Sequence, residues 1–127
     1  MYPEEREALR RATRIGTIVR FRFPADQKRR HVVGVVVDEV SLIRDAHKLV
    51  IEKIQYAQHH LWNEDQVAYR LGYFRIVRHW TGFEVRWSTH SMLITESELD
   101  FLLRQAQHKG WRIPPFFSPS SLASSAT

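Results

Sequence analysis

Residues 69 to 87, YRLGYFRIVRHWTGFEVRW, interleave arginines with aromatic rings about a Thr81-Gly82 dipeptide. Guanidinium groups hold phosphates and aromatic rings stack on bases, so this mixture can form a single-strand binding surface. Rings are also ordinary core, and arginines are ordinary solvated strand residues, so what matters is which side of the hairpin each occupies. With Thr81-Gly82 as a two-residue turn, Phe74, Ile76, Trp80, Phe83, Val85 and Trp87 gather on one core-like side. Tyr69, Tyr73, Arg75 and His79 then face the other way, joined by Glu84 and Arg86. Gly72 is the sensitive position, because a bulge there would exchange the faces of everything before it, Tyr69 above all.

A second source of positive charge precedes this stretch. Residues 10 to 30 contain eight Lys and Arg against Asp26 alone, a net of +7, whereas the rest of the chain has eleven basic and thirteen acidic residues. Such asymmetry suits an anionic partner, most commonly nucleic acid, although a basic balance also simply aids solubility. Arg20, Arg22, Lys28, Arg29 and Arg30 are candidates for phosphate contacts, and Tyr69, Tyr73, Arg75 and Arg86 for stacking and guanidinium contacts.

Other chemistries find less to work with. The chain has no cysteine, which excludes disulfides, thiolate zinc sites and a cysteine nucleophile. Seven histidines are present, but none is paired four apart on a helical face as in H-E-x-x-H. His59 and His60 are adjacent and would diverge by about 100° on a helix. Asp38-Glu39, Glu64-Asp65 and Glu84 could hold magnesium for phosphodiester cleavage, yet no spacing singles them out. A phosphate-binding glycine loop, a nucleophile elbow and a dinucleotide fingerprint are all missing. The sequence therefore implies no cofactor, no metal site and no catalytic residue.

The elements that must position these residues follow from periodicity. At 127 residues, 43% hydrophobic and 26% charged, the chain is expected to form one domain over residues 1–117. No apolar run is long enough to span a membrane and the first residues are too polar for a secretory signal, so a cytoplasmic protein is expected. Pro3, with acids before bases, predicts a short N-terminal helix. Alternation in RIGTIVRFRF and the β-branched run HVVGVVVDEV predict a hairpin around the basic loop PADQKRR. Ile43, Ala46, Val50, Ile54, Ala57 and Leu61 recur at three- and four-residue steps and predict a helix over residues 43 to 61. The 69–87 hairpin follows. Thr95 and Glu98 then have capping-box spacing, Leu99, Leu102, Leu103 and Ala106 make an apolar stripe, and Gly110 stops the helix. Residues 118–127, rich in Ser and Ala, read as a flexible, disordered tail. Together these predict an α+β fold of tandem ββα-ββα units, a four-stranded antiparallel sheet with both helices on one face and the other face exposed.

Residues 16 to 37, GTIVRFRFPADQKRRHVVGVVV, resemble the opening of the MazF and PemK group of ribonuclease toxins, whose barrels begin with a Gly, two apolar strand residues, a Phe-Pro and a basic loop. That resemblance covers about 22 of 127 residues. It implies RNA cleavage assisted by an arginine at the end of the loop, for which Arg30 is the positional counterpart. The rest of the chain departs from the pattern. The reading carried forward is a small basic nucleic-acid-binding accessory or regulatory protein without catalysis of its own. The alternatives are a protein-interaction subunit, docking through the aromatic sheet face or the Pro-Pro-Phe-Phe segment, and a small ribonuclease-type toxin or nuclease. A homodimer is compatible with each.

Overall fold

The computed structural model describes residues 1–22, 31–58, 61–90 and 92–112, with backbone alone at 58 and 61–65. In order, the elements are α1 (Pro3–Arg11), β1 (Ile18–Phe21), β2 (Val32–Arg44), β3 (His47–Gln58), β4 (Leu61–His79), β5 (Gly82–Ser88) and α2 (Glu96–His108). The strands make one curled antiparallel sheet in sequence order, β1-β2-β3-β4-β5. Two compact units divide the chain: Met1–Ser91 holds α1 and the whole sheet, and Met92–Thr127 holds α2. The tail expected at 118–127 and the Pro-Pro-Phe-Phe segment lie outside the described residues.

The α+β class is as expected, but among the described residues the sheet has five strands where four were expected, and no helix splits it into ββα halves. Residues 43 to 61 are the difference. β2 runs on to Arg44, pairs Arg44 with His47 across the turn residues Asp45 and Ala46, and returns as β3. Asp45 adopts φ 53°, a left-handed conformation that Asp tolerates because its short side chain can hydrogen-bond locally. Within β3, Lys48, Leu49 and Val50 are buried in succession, followed by Glu52 and Ile54. Burial on both faces erases the period-two alternation that marks a half-buried strand, and the surviving apolar positions happen to fall at helical steps.

Cross-strand register sorts the side chains into two faces. On the first face, Val50 and Phe74 pack with Leu9 of α1, and Ile43, Ile76, Val85 and Trp87 surround them. A second cluster on the same face joins Val19, Val36 and Ile54, with Phe21 against it. At nine residues α1 is too short to persist alone, so its stability must come from docking. It is fastened at three points. Near its start, Arg78 donates twice to Glu5, at 2.7 and 2.9 Å. Leu9, fully buried, supplies the apolar middle. At its end, Lys48 Nζ donates to the carbonyls of Arg10 (3.0 Å) and Ala12 (2.5 Å), where the helix dipole favours a cation. Burial lowers the pKa of that ammonium from its usual value.

Beyond α1, Arg14 lies 4.7 Å from the Trp87 ring centroid and reaches Glu52 Oε1 at 3.2 Å. Arg70 meets the same oxygen at 3.0 Å. In the second unit, Thr95 and Glu98 cap α2 reciprocally: Glu98 N donates to Thr95 Oγ1 (3.2 Å), and Thr95 N donates to Glu98 Oε1 (2.8 Å). Gly110 takes φ 78°, with Gly110 N on Gln107 O and Trp111 N on Ala106 O, so the predicted stop is a Schellman motif.

Candidate nucleic-acid interface

The 69–87 stretch lies within β4, the following turn and β5. Pairing between β3 and β4 runs unbroken from His47↔Arg75 to Gln55↔Val67, so Gly72 is not a bulge. Its role is spatial. A Cβ at Gly72 would lie 2.4 Å from the Trp87 ring, which rests on the bare backbone there. Tyr69, Tyr73, Arg75 and Arg86 consequently share the second face of the sheet, opposite Phe74 and Trp87, as expected.

The turn itself sits one residue earlier than expected. His79 pairs with Gly82, leaving Trp80 and Thr81 as the loop, with Gly82 at φ 147°, a conformation that favours glycine. Trp80, expected in the core, is fully exposed at 101%. Arg78 pairs with Phe83 on the α1 side of the hairpin, where it holds Glu5.

On the second face the register assembles a row that the sequence does not announce. Arg44 pairs with His47, His47 with Arg75, and Arg75 with Arg86, so four neighbouring strands each contribute one residue to a single rung. At roughly 4.8 Å per strand the row is about 14 Å wide. Sequence reading misses Arg44 and His47 because the residues bearing them carry a helical pattern. Tyr73 occupies the next rung, its ring 5.7 Å from that of His47.

Charge in the row is only partly compensated. Arg86 is paired with Glu84, and the hydrogen bond from Arg86 holds the Glu84 carboxyl below its ordinary pKa. His79 adds a 3.4 Å contact to the same carboxylate. Arg75 is exposed and has no ion-pair partner among the described residues. Arg75 and Arg86 stand directly opposite each other, an arrangement of like charges that ordinarily costs sheet stability.

The remaining candidates do not join this row. Tyr69 is 46% exposed, but it lies six residues before Arg75, about 20 Å along β4, and burial raises its phenol pKa. Between the two positions Leu71 on β4 is 37% exposed, but Val40 and Leu49 on the neighbouring central strands are buried, at 1% and 0%. The expectation of a sheet face exposed along its whole length is thus corrected: Val40 and Leu49 close its central strands. Arg20 lies on the same face, opposite Val33, but Val33 is eleven residues from Arg44 on β2, about 36 Å along the strand. Arg22 follows β1 and donates through Nε to His31 Nε2 at 3.2 Å. Lys28, Arg29 and Arg30 lie outside the described residues.

No protein family model, curated protein or solved structure matches the chain. Among the described residues, no helix is long and apolar enough to cross a membrane, and no group of three or more His, Asp or Glu could hold a metal ion.

Proposed function

We propose that this is a small nucleic-acid-binding accessory protein without catalysis of its own, and that a phosphodiester backbone lies along Arg44, His47, Arg75 and Arg86. The single observation behind this reading is the rung itself, with three arginines and a histidine set side by side on four strands. Guanidinium forks on rigid strands, one of them without a carboxylate partner among the described residues, suit bidentate phosphate contacts better than they suit sheet stability. Tyr73, beside the row, offers a ring near the backbone path. Arg20 adds an exposed cation at the far end of the same face.

Binding through phosphates must weaken with salt. The log of the affinity should fall linearly with log salt, and Arg75→Glu with Arg86→Glu should lower affinity at least tenfold and reduce the slope by about one for each phosphate no longer neutralised. Fluorescence anisotropy with labelled DNA and RNA at low and moderate salt measures both. Undetectable binding by the wild type at low salt, or a double variant that binds like wild type, would sink the proposal.

The β1 edge favours a second reading, a protein-docking role. Ile18, the first residue of the edge strand, is 71% exposed, and Ile15 in the turn before it is 47% exposed. A partner bound there would be insensitive to Arg75→Glu with Arg86→Glu and released by Ile18→Glu.

A further inference from the structure

We infer that Trp80 is a base-stacking residue, and that the nucleic acid bound at the basic row is single-stranded. This rests on the reading above and specifies its ligand.

The sheet ends in a projecting arm. Pairing of β3 with β4 stops at His47↔Arg75, and the β2–β3 turn closes there, with Ile76 N donating to Ala46 O at 3.1 Å. Only β4 and β5 continue, from Ile76↔Val85 to His79↔Gly82, as a two-stranded ribbon with Trp80 at its tip. The tip is five residues beyond Arg75, about 17 Å along the strand. One face of the ribbon is braced by α1: Arg78 grips Glu5 with two hydrogen bonds and lies 5.5 Å from the Tyr2 ring. The indole is therefore presented on a supported arm.

The fold does not need it. Tight turns favour Asn, Asp and Gly, and Trp is a residue that folds usually bury. Here its side chain is wholly in solvent, about 17 Å along the strand from the cationic row. Single-strand binders combine charges that track the backbone with rings on which bases stack, and a strand of several nucleotides can reach from the row to the indole. In a duplex the bases are already stacked on one another, so an indole at a ribbon tip finds a partner only where bases are unpaired.

Three protein forms, wild type, Trp80→Ala and Arg75→Glu with Arg86→Glu, are titrated into labelled oligo(dT) or oligo(U) of about 20 nucleotides and into a duplex of equal length. Trp80→Ala is expected to bind either single strand about tenfold more weakly with an unchanged salt slope, Trp80→Phe to keep most of the affinity, and duplex binding to be weaker and indifferent to Trp80. Thermal stability should not move, since the indole is outside the packed fold. Equal single-strand binding by wild type and Trp80→Ala would overturn the inference, as would duplex binding as tight as single-strand binding. If the arginine variant loses affinity while Trp80→Ala does not, the basic row stands and the stacking role falls. If wild type binds neither probe, both fall.

Discussion

Replacing Glu52 by Leu should destabilise the first unit by about 3 kcal/mol. Glu52 is completely buried, and its Oε1 accepts from Arg14 Nη1 at 3.2 Å and from Arg70 Nη2 at 3.0 Å. Removing one partner of a buried ion pair typically costs about 3 to 5 kcal/mol, because the other charge is left uncompensated. Here two guanidinium groups are left facing each other. Their side chains keep 20% and 26% of their exposure, however, so water screens part of the loss and the lower end of the range applies. Glu52 Oε2 has no hydrogen-bond partner among the described residues, so the network is not fully satisfied even in the native protein. That asymmetry supplies the control. The triple variant Glu52→Leu, Arg14→Met, Arg70→Leu should recover most of the stability, since a packed apolar cluster replaces an ion pair at little or no net cost. Urea denaturation followed by far-UV circular dichroism gives both values. A single variant within about 0.5 kcal/mol of wild type would refute the reasoning, as would a triple variant no better than the single.

Gly72→Ala should cost about 1 to 3 kcal/mol by overpacking, because the new Cβ falls 2.4 Å from the Trp87 ring; a melting temperature equal to wild type would show that the ring is free to move away. Acid sensitivity follows from Glu5, whose carboxyl is lowered from 4.5 to about 2, first by the hydrogen bond from Arg78 and then by the Tyr2 N–H. A depressed carboxylate stabilises the fold fully above about pH 4.5, and that contribution disappears as pH falls through about 2. Because Glu7, held by Arg10, titrates in the same window, the comparison is best made with Glu7→Gln present. Adding Arg78→Gln should flatten the acid limb of the stability profile, and parallel profiles would count against the Glu5–Arg78 attachment.

Much of this architecture is legible in the sequence, for reasons that particular residues make clear. α2 is announced by Thr95, Glu98 and Gly110, each of which acts on its own backbone neighbourhood, so local reading suffices. The shared face of Tyr69, Tyr73, Arg75 and Arg86 follows from strand alternation once Gly72 is in register. The β2–β3 hairpin is different. Its turn, Asp45 and Ala46, contains neither Gly nor Pro, and its strands are buried on both faces, so neither punctuation nor alternation marks it. Once that hairpin is taken for a helix, Arg44 and His47 lose their places, and half of the basic row goes with them. Val50, Ile51 and Ile54, β-branched within five residues, are the available signal for a strand. The difference at Trp80 is smaller: a turn displaced by one residue takes the ring out of the paired strand and into the exposed loop, while Phe74, Ile76, Val85 and Trp87 keep their face.

The Lys48 clamp also orders events in time. α1 leaves the ribosome well before Lys48, and earlier still than Arg78, the two side chains that hold its ends. Until both strands have been made, a nine-residue segment has nothing to fold against and stays a nascent, fluctuating chain. The sheet, whose neighbours are all consecutive in sequence, can zip hairpin by hairpin as it emerges. The earliest-made element of this unit is in this way expected to be among the last to become structured.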